Sequence, residues 1–113
     1  MALPHPLPDD LVELIARRFR VIGEPMRIRL LDRLRDGEAS VSELAETLDA
    51  SQQNVSKHLS VLADSGIVGR RKAGNHVYYR IVDEAVFALC DQVCGSVHEQ
   101  LRALSALVEG VGR

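Results

Sequence analysis

The chain has 113 residues, with 14 basic and 16 acidic side chains and a formal charge of -2. A composition of 46% apolar and 27% charged residues fits one small globular domain and excludes a multidomain enzyme. No apolar run approaches the roughly 18 to 20 residues that span a bilayer, and the N-terminus lacks the pattern of a secretory signal. Two cysteines exclude a secreted disulfide framework. We therefore expect a cytoplasmic protein without a membrane partner.

The charge is unevenly distributed along the chain. Residues 51–80 carry a charge of +4, whereas residues 1–50 and residues 81–113 each carry -3. The bases of the central segment are Lys57, Arg70, Arg71, Lys72 and Arg80. This basic island is typical of either a solvated face or a surface for a polyanion such as nucleic acid.

Two helices are predicted in the first third of the chain. Three of the four prolines fall within residues 1–8 and predict a flexible, irregular arm. Apolar residues at helical spacing behind Asp9 predict a first helix that stops near Gly23. Pro25 suits the opening turn of a second helix, which the pair Asp36 and Gly37 ends.

Two shorter helices joined by a tight turn follow. Ser40 with Glu43 three positions later forms a capping box for the third helix. Ser51 caps a fourth helix, which Gly66 ends. Its inward face is predicted to be Val55, Leu59 and Leu62, and its outward face Gln52, Gln53, Ser56, Lys57 and Ser60.

A β-hairpin and a long helix complete the chain. Residues 67–72 and 76–82 are short runs rich in β-branched and aromatic residues around a glycine-containing loop. From Asp83 to about residue 109, apolar residues form one stripe along a terminal helix. The stripe is more apolar surface than so small a subunit easily covers, so we expect a homodimer built partly on this helix.

The fourth helix and the hairpin carry side chains suited to double-stranded DNA. Glutamine bonds adenine bidentately, serine bonds base edges or phosphate, and lysine meets guanine or phosphate. The alternatives are a merely polar solvent face on the helix and, on the hairpin, edge-strand charges that discourage aggregation. His58 either helps to bind phosphate or is half-buried. The candidate DNA-binding residues are Gln52, Gln53, Ser56, Lys57, His58, Ser60, Arg70, Arg71, Lys72, Asn75 and His76.

Five motifs resemble the ArsR/SmtB family of bacterial repressors: EPMR at residues 24–27 with its apolar continuation to residue 34, VSELA at 41–45, SQQNVSKHL at 51–59, LADSGIV at 62–68 and VYYR at 77–80. The resemblance covers roughly residues 10–105. Within these motifs, Gln52, Gln53, Ser56 and Lys57 match the family's base-reading and phosphate-contacting positions. Tyr78 and Tyr79 match its wing aromatics, which we interpret as hairpin packing.

The resemblance implies a mainly α fold with a β-hairpin wing, a winged helix-turn-helix that dimerises through its N- and C-terminal helices. Residues 9–113 would form this domain. It implies a homodimer that binds a palindromic operator and releases it when an inducer, often a metal ion, occupies a coupled site.

The family's usual metal ligands are missing from the sequence. One family site uses cysteines in the third helix, where this chain reads SVSEL at residues 40–44, and serine is a poor ligand for a soft ion. Another site uses Asp and His near the start of the last helix and two His further along it. The matching residues here are Asp83, Ala85, Ser96 and Glu99, which makes a zinc or nickel site of that type unexpected.

The last helix instead offers Cys90, Cys94 and His98 at spacings of four residues. A direct bond between the two thiols is disfavoured because parallel Cβ vectors at this spacing stay too far apart. Three interpretations remain open for Cys90 and Cys94. They are a redox or persulfide switch, a site for a soft metal ion or arsenite with His98 as a further ligand, and simple packing with no inducer at all.

Two other classes of function are weaker alternatives. A thiol enzyme would use Cys90 or Cys94 as the nucleophile and His98 as the base, but no oxyanion donor is evident on this apolar stripe. A protein-interaction winged helix would present a hydrophobic or acidic recognition face. The residues expected on that face are polar to basic, so we expect a DNA-binding repressor that is not an enzyme.

Overall fold

The computed structural model describes residues 2–111. Within them the elements follow in the order α1 (Asp9–Ile22), α2 (Pro25–Leu34), β1 (Ala39–Ser40), α3 (Val41–Thr47), α4 (Gln52–Asp64), β2 (Val68–Ala73), β3 (His76–Ile81) and α5 (Glu84–Val111). The chain divides into two compact units, residues 1–82 and residues 83–113. The first unit contains every element except α5, and each unit is described by itself. The predicted mainly helical fold with a hairpin is confirmed.

The turn between α3 and α4 is fixed by its end residues. Ser40 Oγ accepts a hydrogen bond from Glu43 N at 3.1 Å, and Glu43 Oε1 accepts one from Ser40 N at 3.3 Å, which completes the predicted capping box. Asp49, at the turn, has a left-handed φ of 51°. Ser51 Oγ accepts from Asn54 N at 3.1 Å and so caps α4. These local bonds determine where the two helices begin.

The core of the first unit lies between α2, α3, α4 and the base of the hairpin. The three predicted inward residues of α4, Val55, Leu59 and Leu62, are completely buried. They pack in a core that includes Leu30 and Ile67, which are also completely inaccessible to solvent. Burial of one face of α4 leaves its opposite face pointing outward.

The hairpin belongs to a three-stranded antiparallel sheet with the strand order β1-β3-β2. Gly74, with a φ of 62°, begins the turn between β2 and β3, where a positive φ favours glycine. The predicted two-stranded hairpin was incomplete, because β1 pairs with β3 through Ala39 opposite Tyr79 and Ser40 opposite Tyr78. A two-residue strand has no periodicity for a sequence pattern to detect.

The second unit consists mainly of α5, a helix of 28 residues. Asp83 Oδ1 accepts hydrogen bonds from Ala85 N at 3.0 Å and from Val86 N at 3.4 Å, so it caps the start of the helix. Along its outer part the apolar stripe is exposed, at Val93, Val97, Leu101, Leu104, Leu107 and Val108. No helix within residues 2–111 combines the length and hydropathy needed to cross a membrane.

Candidate nucleic-acid interface

The outer face of α4 presents a row of polar side chains. Gln52, Gln53, Lys57 and Ser60 are exposed and Ser56 is half-buried. Gln53, Ser56, Lys57 and Ser60 follow the spacing of one helix face, opposite the buried Val55 and Leu59. Four of the predicted residues therefore share one side of the first unit, where an amide, two hydroxyls and an ammonium group are available for hydrogen bonds, and Gln52 is exposed at the start of the helix.

The first turn of α4 borders an open depression lined by Ser51, Gln53, Asn54 and Lys57. Asn54 was not among the predicted residues, although its side chain adjoins Gln53 and lies three positions before Lys57. Because the helix dipole makes this end of α4 partly positive, it favours an anionic group. The neighbouring amide side chains allow hydrogen bonding in addition.

The register of the hairpin separates its basic residues into two sets. Arg70 is opposite Tyr79 and Lys72 is opposite Val77, whereas Arg71 is opposite Tyr78. Directly opposed residues share a face of an antiparallel pair, and neighbours along a strand alternate. Arg70 and Lys72 therefore share one face of the hairpin, and Arg71 lies on the other.

Arg71 is held by residues of its own unit. Its Nε donates to Glu38 Oε2 at 3.2 Å and its Nη2 donates to Glu38 Oε1 at 2.5 Å. Its guanidinium also lies over the ring of Tyr78, 4.8 Å from the centroid. Glu38 precedes β1, and no sequence pattern selects it, because its partner is 33 residues away in the chain.

This pairing changes the titration of both groups. The hydrogen bond from Arg71 holds the pKa of the Glu38 carboxyl below its ordinary value, and the charges of Arg71 and Arg80 act in the same direction. The same hydrogen bond raises the pKa of Arg71. Both Nε and Nη2 of Arg71 are thus hydrogen-bonded to one carboxylate of the same unit.

The tip of the hairpin carries Asn75 and His76. Both residues are exposed, and the His76 ring lies 6.3 Å from the ring of Tyr78 in a tilted arrangement. Tyr79 is buried and Tyr78 is half-buried, which agrees with the interpretation of these aromatics as packing groups.

His58 lies behind the outer face of α4. Its side chain is only 14% exposed, and its Nδ1 lies 3.0 Å from Arg27 Nη1 and 3.7 Å from Glu24 Oε2. The sequence motif EPMR contains both partners, but it gave no indication that they contact α4. The half-buried alternative for His58 is therefore the one that the structure shows.

The thiols of α5 lie in the second unit. Cys90 is half-buried, Cys94 and His98 are exposed, and no disulfide joins the two cysteines. Among residues 2–111, no three His, Cys, Asp or Glu side chains are close enough to hold a metal ion. Cys90, Cys94 and His98 of one copy therefore do not form a three-ligand cluster.

At two positions where the family resemblance implies metal ligands, this chain carries residues that cap helices. Ser40 Oγ is used as the cap of α3, and its hydroxyl is a hard oxygen donor. Asp83 Oδ1 is used as the cap of α5. These positions are structural in this chain.

Comparisons with known proteins agree with this geometry. A family model described as a helix-turn-helix domain matches residues 22–71. The HTH-type transcriptional regulator KmtR of Mycobacterium tuberculosis is 38% identical over 96 residues, which are 84% of this chain and 74% of that protein. The HTH-type transcriptional repressor SmtB of the same species is 32% identical over 80 residues, which are 71% of this chain and 59% of that protein.

A solved structure gives the same result for the fold. The solution structure of the homodimeric winged helix-turn-helix DNA-binding domain Mb0332 from Mycobacterium bovis, a possible ArsR-family transcriptional regulator, matches with a TM-score of 0.76 and 30% identity. The match covers 89% of this chain and 94% of that one.

The fold and the polar face of α4 define a winged helix-turn-helix regulator. The chain belongs to the ArsR/SmtB family of helix-turn-helix transcriptional regulators, as its motifs predicted. Because this is a family of regulators and not of enzymes, the expectation that the chain is not an enzyme is confirmed.

Proposed function

We propose that the chain is a transcriptional repressor that binds a palindromic operator in double-stranded DNA as a homodimer. The observation that carries this proposal is the row of exposed polar side chains on α4, close in sequence to the exposed hairpin bases Arg70 and Lys72. A helix with this polar face fits the major groove, and a hairpin fits the adjacent backbone or minor groove.

The side chains divide by the chemistry they offer. Gln52 and Gln53 are suited to read base edges, and Ser56, Lys57 and Ser60 to bind base edges or phosphate. On the hairpin, Arg70, Lys72, Asn75 and His76 are suited to phosphate. Arg71 is already paired with Glu38, so in this proposal it supports the hairpin and does not neutralise a phosphate.

The homodimer is supported by apolar side chains left exposed in both units. Leu14 and Phe19 of α1 are 59% and 53% exposed, and the stripe of α5 from Val93 to Val108 is exposed throughout. Apolar surface of this extent is typical of an interface. Twofold symmetry would present two α4 helices to two half-sites, which is why a palindrome is expected.

DNA binding is tested with a duplex selected by the wild-type protein from a random-sequence library. Lys57→Ala should weaken binding and reduce the slope of log affinity against log salt by about one, because one phosphate contact is lost. Gln53→Ala should relax base preference at one position of each half-site. Arg33→Ala, which removes an exposed charge from α2, is the matched control. Failure to select any sequence, or unchanged binding in both α4 variants, would overturn the proposal.

We further propose that an effector acts through Cys90 and Cys94 and releases the DNA. The exposed thiol of Cys94 and the half-buried thiol of Cys90, one helical turn apart, are accessible to a thiophilic reagent. Two kinds of effector fit: an oxidant that forms a disulfide between subunits or a polysulfide that bridges the two thiols, and a soft metal ion or arsenite with His98 as a further ligand.

Intact-protein mass spectrometry separates these effectors. The protein is exposed in turn to arsenite, cadmium, peroxide and polysulfide, and each product is assayed for DNA binding beside Cys90→Ser and Cys94→Ser. One reagent should release DNA from the wild type and from neither variant. If no treatment releases DNA, the cysteines only pack, and the repressor has no inducer at this site.

A further inference from the structure

A hydrogen-bonded group behind α4 connects three helices of the first unit. Arg27 Nε donates to the carbonyl oxygen of Val21 at 2.5 Å, and Arg27 Nη1 lies 3.0 Å from His58 Nδ1. Val21 belongs to the last turn of α1, Arg27 to the first turn of α2, and His58 to α4. One guanidinium therefore joins the end of α1 to the helix that carries the polar face.

The contact with Val21 follows from the sequence of the α1–α2 junction. The carbonyl of Val21 would be satisfied in a continuous helix by the amide four residues later, but that residue is Pro25, which has no N–H. Arg27 supplies the missing donor. Glu24 fixes the position of Arg27, because its carboxylate accepts a hydrogen bond from Arg27 N at 3.0 Å as the cap of α2.

The contact with His58 requires one form of the imidazole ring. A guanidinium can only donate, so His58 Nδ1 accepts and the ring carries its proton on Nε2. Glu24 Oε2, at 3.7 Å from Nδ1, is beyond hydrogen-bonding distance. His58 thus uses Nδ1 for a contact inside the protein, although it is the neighbour of Lys57 on α4.

We propose that Arg27 and His58 are positioning residues for DNA binding, which fix the outer face of α4 to the end of α1 and do not contact DNA themselves. This inference rests on the proposed function. Rotation or displacement of α4 would move Lys57 and Gln53 together, so loss of the contact weakens binding without removing any phosphate contact.

Two amide substitutions at one position test which ring nitrogen matters. The Oδ1 of His58→Asn lies close to the place of Nδ1 and still accepts from Arg27, whereas the longer His58→Gln places its amide near the position of Nε2. We expect His58→Asn to bind the selected duplex nearly as the wild type does and His58→Gln to bind about tenfold more weakly, the scale of a hydrogen bond to a charged group. The opposite order would show that Nε2 contacts DNA and would overturn the proposal.

Arg27→Lys tests the same contact by changing the residue that donates to Val21 and His58. Lysine keeps the charge but lacks the planar fork that reaches Val21 and His58 at once, so binding should weaken about tenfold as well. The salt slope should stay that of the wild type. Arg29→Lys, an exposed residue of the same helix, is the matched control and should bind normally. A reduced salt slope in Arg27→Lys would mean a direct phosphate contact and would contradict the proposal.

Folding and the proposed function are checked separately. Far-ultraviolet circular dichroism and thermal melting should show that His58→Gln and Arg27→Lys remain folded at the temperature of the binding assay. The double variant Arg27→Lys, His58→Gln should lose no more affinity than either single variant, because both remove the same contact. A loss of affinity in the double variant equal to the sum of the two single losses would contradict the positioning role. If Lys57→Ala, His58→Gln and Arg27→Lys all leave binding unchanged, the proposed DNA interface itself is wrong. If Lys57→Ala weakens binding and the other two variants do not, only the positioning role is refuted.

Discussion

At the scale of single residues, the partner of each polar side chain decides its role. Arg70 and Arg71 are consecutive bases, yet Arg70 is exposed and Arg71 is paired with Glu38 and stacked on Tyr78. Likewise Lys57 points outward and its neighbour His58 contacts Arg27. A charge count over residues 51–80 therefore overstates the positive charge available to DNA.

Arg70→Ala and Arg71→Ala should affect DNA binding differently. Loss of Arg70 removes a free charge and should reduce the salt slope by about one unit. Loss of Arg71 leaves the carboxylate of Glu38 without its counterion. The salt slope should stay nearly unchanged, because the paired guanidinium made no phosphate contact. The slopes are measured by fluorescence anisotropy between low and physiological salt. Equal reductions in both variants would show that the pair opens on DNA.

Glu38→Gln should remove a pH-dependent contribution to stability. The folded-state pKa of Glu38 lies below its ordinary value of 4.5, chiefly because of the hydrogen bond from Arg71. A lowered folded pKa stabilises the protein above the unfolded pKa, and that stability is lost as the pH falls through the folded pKa. Wild type should therefore melt at a higher temperature than Glu38→Gln at pH 7, and the two melting temperatures should converge in acid as the pH falls below the folded-state pKa of Glu38. A difference independent of pH would contradict this account.

At the scale of secondary structure, local signals predicted the helices well. Capping by Ser40 and Ser51 and the glycine at residue 66 depend on atoms within a few residues, so the sequence is sufficient to locate them. The strand β1 and the contact between Glu38 and Arg71 join segments more than thirty residues apart. No local pattern indicates such pairs.

Ser40→Ala should destabilise the fold by about 1 kcal/mol, because it removes the hydroxyl that accepts from the amide of Glu43, whereas the backbone N–H of residue 40 can still donate to the Glu43 carboxylate. Urea unfolding monitored by circular dichroism measures the change. Ser60→Ala is the control, since an exposed serine within α4 should be replaced by alanine without loss of stability. Equal stability of the wild type and Ser40→Ala would show that β1 holds this segment without the cap.

At the scale of the whole molecule, the sequence indicated the family and the polar face of α4 but not the cluster behind it. Periodicity separates inward from outward residues, which was enough for Val55 and Lys57. It cannot show that Arg27 reaches back to Val21 and across to His58, because that contact depends on how three helices pack. The motif EPMR contains Arg27 and Glu24, but only the fold shows which residues they contact.

The exposed stripe of α5 provides the prediction for assembly. Leu101→Glu and Leu104→Glu should convert a dimer into monomers, because a carboxylate buried against apolar side chains of a second copy has no partner there. Sedimentation velocity measures the mass, and binding of the palindromic duplex should fall more than about tenfold as the second half-site contact is lost. Arg102→Glu, a charge reversal on another side of the same helix, should remain dimeric. If the leucine variants also remain dimeric, the copies associate without this stripe, and the exposed α1 residues Leu14 and Phe19 become the surface to alter next.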